Sequence, residues 1–520
     1  MLEGPSEREP VPRWRSYRAT LEHGELRPLG IRTPMRRPTA EELDLARRVH
    51  EWKAAGTPSY ATDVLNAAIF SGDKLLIREA AIAVRDSGVA PGLGRSLAML
   101  ALGELDRDVV SPGAHTGHDS FEEEGVLAGA SIAEIRRSLR RDQRNAIAWA
   151  ELSRLHAITA NRESARRSML IALELAPQSR FVLRSASRLA VHLDDPEWGH
   201  DLLRRAPRTS IDPWLASAEI ATAALSHRPS RLIKPGRRML ESESFSKRDT
   251  AELAAALGTR EMDASRRRAK HLFVEALEDP TENALAQAVW AASAMNWQDL
   301  DFALADKPES FEAKARALAI AGDRSAAAAQ SWGWFDEEPF ATEPPMFGSY
   351  QASADQDYST GVEFARKGLR SNPDDAGLLN NIAFCLASGG DVDRARPFFN
   401  RIRLGAVESD SERAVYTATR GLLNYRSGHV EAGRRDYSDA LELFGKDPYR
   451  RALAAIMFAR EEVRAQTPLG LDLARRAVEL EREAEDKGVP ESRHLRSWLR
   501  ELEQFMREYS ENSNPRWSAE

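Results

Sequence analysis

The sequence predicts an all-α protein, an α-solenoid of antiparallel helical hairpins arranged in two lobes, and three observations carry that expectation. Between Ser131 and Ala206 residue types recur every 34 positions. The central copy holds Trp149, Leu152, Ser153, His156, Ala165, Met169, Ala172 and Pro177. One period earlier stand Ser131, Ile135, Ser138 and Gln143, and one period later Leu183, Ala186, Ser187, Ala190, Gly199, Leu203 and Ala206. This alternation of large and small side chains is what two closely packed antiparallel helices require. Ala, Leu, Arg and Glu also dominate the chain while strand formers are sparse. Finally, Gly and Pro punctuate the apolar-periodic segments at intervals suited to hairpins.

Residues 1–38 interleave prolines with Arg8, Arg13, Arg15, Arg18, Arg27, Arg32, Arg36 and Arg37, a composition that cannot sustain a helix and reads as a strap or arm. From Thr39 the stretch TAEELDLARRVHEWKAA opens with a Thr cap and two early glutamates, as a helix N-terminus favours. Residues 39–130 continue as helical hairpins and include an acidic and histidine-bearing loop at 111–125. The first repeat lobe spans 131–330, its register weakening after Ala206 and continuing with Ile220 and Ala221 in helix A slots. Residues 331–347, SWGWFDEEPFATEPPMF, are rich in aromatic, acidic and proline residues and read as a linker. The second lobe spans 348–485. There Tyr358, Gly361, Ala365, Gly368 and Pro373 suit one helix, Leu379, Ile382, Ala383, Leu386, Ala395 and Phe399 the next hairpin, and Gly421, Gly428, Gly433, Tyr437 and Ala440 the one after. Residues 486–520 form an amphipathic capping helix and a frayed tail.

On these residues the chain resembles the tetratricopeptide-repeat family, over 131–206 and 358–440 most specifically. The resemblance implies a right-handed superhelix whose helix A residues line a concave groove for a partner's extended peptide or helix. In the two strongest hairpins the groove positions are Ile147, Ala150, Arg154, Ala157 and Ile158, then Phe181, Arg184, Arg188, Val191 and His192. Arg154, Arg184 and Arg188 suit the carboxylates of an acidic peptide or helix, unless they pair with neighbouring glutamates. In the second lobe Asn380, Asn381 and Phe384 take groove positions. Asn381 stands where chaperone-binding members hold a terminal carboxylate, but the flanking helices lack the cations that such a clamp needs. The cluster Trp332, Trp334, Phe335 and Phe340 either anchors a partner or packs on its own scaffold.

Other chemistries find little support. A net charge of −7 over 520 residues marks no nucleic-acid binder, although Trp14 and Tyr17 among arginines could stack on bases. The 10 Lys against 63 Arg reads as a GC-rich, bacterial composition. No P-loop or GxSxG elbow occurs. His115, His118 and Asp119 lack helical metal spacing, so neither a metal nor a cofactor is expected. Cys385, between Phe384 and Leu386, reads as core, and a single cysteine admits no internal disulfide. The N-terminal residues carry charges and prolines where a secretory signal needs an apolar run, and no membrane span is evident, which suggests a cytoplasmic protein. The expectation is a non-enzymatic adaptor or scaffold that assembles or regulates a multiprotein complex. The alternatives are a peptide- or ligand-sensing regulator and a helical-repeat hydrolase with converging carboxylates.

Overall fold

The structure, a computed structural model, describes residues 8–16, 40–71, 73–87, 93–103, 121–242, 244–297, 300, 310–407, 409–445, 447–487, 495–496, 498–500, 502–504 and 506–507. Among them it is helical without a strand. The helices are α1 (Ala40–Ala55), α2 (Pro58–Ser71), α3 (Lys74–Asp86), α4 (Leu93–Ala101), α5 (Phe121–Leu139), α6 (Ala146–Ile158), α7 (Arg162–Leu175), α8 (Arg180–His192), α9 (Pro196–Arg205), α10 (Pro213–Leu225), α11 (Ile233–Glu241), α12 (Lys247–Glu261), α13 (Arg266–Ala276) and α14 (Glu282–Ala294). They continue with α15 (Phe311–Ala321), α16 (Arg324–Glu337), α17 (Glu343–Ala354), α18 (Tyr358–Ser371), α19 (Ala376–Ser388), α20 (Val392–Phe399), α21 (Asp410–Arg426), α22 (Val430–Leu443), α23 (Pro448–Arg464) and α24 (Gly470–Asp486). Consecutive helices pack as pairs, which is the hairpin architecture expected of a tetratricopeptide-like repeat.

One turn recurs through the array. The first helix of a pair ends on a residue in the left-handed region, with φ between 50 and 63° at Ala160, Asp194, His227, Asn296, Gln356 and Gln466. Gly322, Gly390 and Gly428 fill the same place. The amide of the next residue donates to the carbonyl five residues back, as from Asn161 to His156 (2.9 Å), Asp195 to Ala190 (2.9 Å) and Asp391 to Leu386 (2.8 Å). This is the helix-ending Schellman arrangement. Where that residue is Asn161, Asp195, Asp323, Asp357 or Asp391, its side chain also accepts an amide of the following helix. A two-residue signature, left-handed then Asx, therefore closes one helix and opens the next.

Helix starts give the period directly. Asn145, Ser179 and Asp212 cap α6, α8 and α10 with their side chains. The first interval is 34 residues and the second 33. Continuing a strict 34-residue register pairs Trp149 and Leu183 with Ser217, whereas the shorter interval puts Ala216 at the equivalent position, four residues past the cap.

By contacts the chain divides into two units. The first takes in 8–288 together with 337–340, and its core gathers residues of α2, α6, α7 and α8 around Trp14 and Phe340. The second takes in 289–336 and 341–520, with a core built from α18 to α24 and Leu495, Trp498 and Leu502. Helix pairs approach closely where small residues allow it. Ser153 Oγ donates to the Ala165 carbonyl at 2.7 Å, and Gly421 and Gly433 sit where a Cβ on either would strike Tyr437 or Tyr425.

Three boundaries differ from the sequence reading. Residues 331–337 complete α16 and 343–347 begin α17, with Pro344 and Pro345 in the first turn, where a missing amide costs nothing; the read linker is thus two helices and a short bend. Phe121 to Gly125 belong to α5, not to a loop. Residues 111–120, and with them His115, His118 and Asp119, lie outside the described residues, as do residues 1–7 and 17–38 of the arm.

Relieving one left-handed alanine should stabilise the protein: Ala160→Gly is expected to add about 0.5–1 kcal/mol. Gly433→Ala, which overpacks the α21–α22 crossing, should cost roughly 1–3 kcal/mol. Urea denaturation of both variants checks the opposite signs.

Candidate functional site

The face of the first unit on which groove residues were expected is occupied by the chain itself. Residues 8–16 have no helix or strand, with a tight turn in which the Val11 amide donates to the Glu9 carbonyl at 2.8 Å, and α14 holds Arg8, Pro10 and Val11 by their main chain. Asn283 Nδ2 donates to the carbonyl of Val11 at 2.9 Å and reaches that of Pro10 at 3.5 Å. Gln287 Nε2 donates to the carbonyl of Arg8 at 2.7 Å and to Thr259 Oγ1 at 2.9 Å. Arg8 returns both contacts, donating to Asn283 Oδ1 at 3.0 Å and to Gln287 Oε1. Glu9 pairs with Arg260.

Further along, the strap turns from main-chain to side-chain contacts. Glu338 is buried and accepts Arg13 Nη1 at 2.7 Å, the Trp14 amide at 3.1 Å and Arg188 Nε at 3.1 Å. Arg15 donates to Glu337 at 3.1 Å and lies 3.5 Å from Glu282. Between these arginines Trp14 is only 1% exposed, its ring 5.2 Å from that of Phe340. As placed, this indole is not available to stack on a nucleic-acid base.

Electrostatics follow from burial and partners. Burial alone would raise the Glu338 carboxyl, yet the guanidiniums of Arg188 and Arg13, with the Arg13 and Trp14 hydrogen bonds, hold it down at about 2. His192 packs edge-on against Phe340 at 5.3 Å. Burial, then the cations Arg188 and Arg162, push its imidazole down to about 3, so it is neutral at physiological pH.

The three arginines expected to face an acidic ligand are spoken for. Arg154 forks onto Glu151, with Nη2 at 2.7 Å. Arg184 binds Glu252 through both terminal nitrogens, at 3.0 and 3.2 Å, and lies over the Trp214 ring at 4.6 Å. Arg188 shares Glu338 and lies 5.2 Å over Phe340. All three are buried, as are Phe181 and His192, while Ile158 is half-buried against the same core. A guanidinium deep in a helix array must meet a carboxylate of its own chain, which is why none of them faces solvent.

In the second unit Asn380, Asn381 and Phe384 are likewise buried. The carboxamide of Asn380 has no hydrogen-bond partner among the described residues. Trp332, Trp334 and Phe335 all lie on α16 and pack inward: Trp332 stacks on Phe364 at 3.6 Å, Trp334 meets Phe347 edge-on at 5.9 Å, and Phe335 is buried. Only Phe340 of that cluster belongs to the strap site. Cys385 is buried and its thiol pushed up to about 12 by burial, which leaves no thiolate for catalysis. Among the described residues no group of His, Cys, Asp and Glu could hold a metal, and no helix is long and apolar enough to cross a membrane.

Asn283, Gln287 and Glu338 were not singled out from sequence. For Gln287 a signal exists: counting α14 from Glu282 puts it at the sixth helix position, the slot that Asn381 takes in α19.

No family model matches this chain, and no curated protein matches it. Among solved structures it is similar to a chain of the APC/C hetero-tetramer Cut9-Hcn1, at 12% identity over 89% of this chain and 93% of that chain, with a TM-score of 0.42. It is also similar to yeast Tom70, at 14% identity over 76% of this chain and 95% of that one, with a TM-score of 0.33. The class assigned to this protein, an all-α array of tetratricopeptide-like helix pairs, rests on the turns and spacings above.

Two outcomes test the electrostatics. Arg184→Ala strands the buried Glu252 and should cost about 3–5 kcal/mol, whereas Arg162→Ala, which breaks an exposed pair with Asp194, should cost less than about 1 kcal/mol. Glu338 and His192 both bind protons more weakly folded than unfolded, so each contributes stability that is lost as pH falls. The loss begins below the ordinary histidine value of 6.5 and continues through the carboxylate range towards 2. His192→Phe should make the loss between 6.5 and about 4.5 shallower, in urea midpoints measured against pH, leaving the part due to His156, whose imidazole burial also lowers.

Proposed function

We propose that the protein is a non-enzymatic interaction scaffold whose first unit grips an extended segment of polypeptide, and that it assembles or regulates a multiprotein complex through that grip. One observation carries the reading: Asn283 and Gln287, a helical turn apart on α14, hydrogen-bond the main chain of a stretch that has no helix or strand of its own. Side-chain amides offer both a donor and an acceptor, so one such residue can satisfy an unpaired peptide group of a segment with no secondary structure of its own. The main-chain part of this hold does not depend on the side chains of the segment, while the Arg8 guanidinium adds its own bonds to the same two amides. A buried aromatic beside it supplies the apolar contact that concentrates binding energy. The buried thiol and the arginines engaged by internal carboxylates favour binding over catalysis.

A protease site introduced between residues 20 and 35 of the full chain tests the reading. After cleavage the released N-terminal fragment should stay bound at high concentration, dissociate on dilution and rebind with one-to-one stoichiometry. Asn283→Ala combined with Gln287→Ala should weaken rebinding tenfold or more at unchanged helicity. A fragment that fails to rebind the folded remainder would overturn the proposal.

A further inference from the structure

The chemistry of residues 8–16 specifies what this face accepts, and it is the reverse in charge of what the helix A arginines suggest. The carboxylates of Glu282, Glu337 and Glu338 meet Arg13 and Arg15. The arginines of the face are taken up by carboxylates of the same unit, Arg154 by Glu151, Arg184 by Glu252 and Arg188 by Glu338. What remains to select a ligand is acid and amide around one aromatic pocket.

We propose that this face binds, from a partner protein, an extended basic segment of the form Arg-aromatic-Arg, and that residues 8–16 are the chain's own stand-in for it. The inference rests on the peptide-gripping reading above. Three features support it. Contacts at Pro10 and Val11, and one of those at Arg8, are made to the main chain by Asn283 and Gln287, so a foreign segment can reproduce them whatever its side chains, while the Arg8 guanidinium adds two more that again favour a basic residue. Those at Arg13 and Arg15 are guanidinium–carboxylate pairs, which a second basic segment reproduces equally and an acidic one cannot.

The third feature is a flaw in the resident ligand. The indole Nε1–H of Trp14 is buried and meets no acceptor among the described residues. An unmet buried donor weakens a complex substantially, because the group gives up its water and gains nothing in return. A segment with phenylalanine there fills the apolar contact with Phe340 without carrying that donor. The strap is thus an imperfect ligand that holds its place by being tethered, at an effective concentration on the order of millimolar. A partner meets a site that is open only part of the time, and its apparent affinity falls by that fraction.

The test uses the full chain, intact or cut at the introduced site and freed of its N-terminal fragment, with a fluorescent peptide of residues 6–18 read by polarisation. The cut chain should bind this peptide at least tenfold tighter than the intact chain. Intact W14A, whose strap has lost its anchor, should match the cut chain and serves as the control against damage from cleavage. A peptide with phenylalanine at position 14 should bind the cut chain about tenfold tighter than the parent. A peptide with both Arg13 and Arg15 replaced by glutamate should bind at least a hundredfold more weakly. Equal binding of parent and charge-reversed peptides overturns the basic partner class while leaving the peptide groove intact. A phenylalanine peptide no tighter than the parent, or equal binding by cut and intact chains, overturns the stand-in. Failure of every peptide on both the cut chain and W14A removes the groove reading along with this one.

Discussion

The buried carboxylate of Glu338 is the contact on which the first unit's inner face depends. It gathers two guanidiniums and a main-chain amide, from Arg13, Arg188 and Trp14. A lone carboxylate at that depth would lose its charge. Surrounded by cations it keeps it, and in doing so fixes the strap on one side and α8 on the other. Phe340, two residues on, completes the arrangement by giving Trp14, His192 and Arg188 a common aromatic neighbour. Removing the charge would therefore take from two buried arginines the carboxylate they share, a larger loss than that of any single hydrogen bond.

Around that face the array is held by short-range rules. Most of the described hairpin turns use one left-handed residue, and where an Asx follows it that residue serves two helices at once. The protein accepts non-glycine residues at six of these turns. Their strain is tolerated because the hydrogen bonds on both sides and the packed helices over-determine the backbone.

Much of this was legible before any coordinates. The 34-residue spacing and the large-and-small slots of α6 to α9 marked the hairpins, and Gly421 and Gly433 marked a close crossing, because steric fit leaves a direct trace in residue size. The end of Trp332–Phe335 as a packed helix was less visible, since Pro344 and Pro345 look like breakers until they are seen in a first turn. Charge was the least legible. Arg184 stands at a groove position by register, but its partner Glu252 lies 68 residues away, and nothing local announces the pair. Glu338 was equally hidden in a run that composition marks as a linker. Long-range pairing of buried ions depends on which helices become neighbours, whereas helix pairing depends on residues close in sequence.

The strap lies at one end of the sequence, and its seat is completed by residues 283, 287 and 337–340. A ribosome adding about 5–20 residues per second makes residues 8–16 well over ten seconds before Glu338 exists. Helix pairs such as α6–α7 and α8–α9 are complete long before then, as their contacts are local. During synthesis the N-terminal segment has no home while the early hairpins already stand, so seating it is a late event in the maturation of the molecule. When residues 337–340 emerge and complete the seat, the tethered segment is already at hand to claim it.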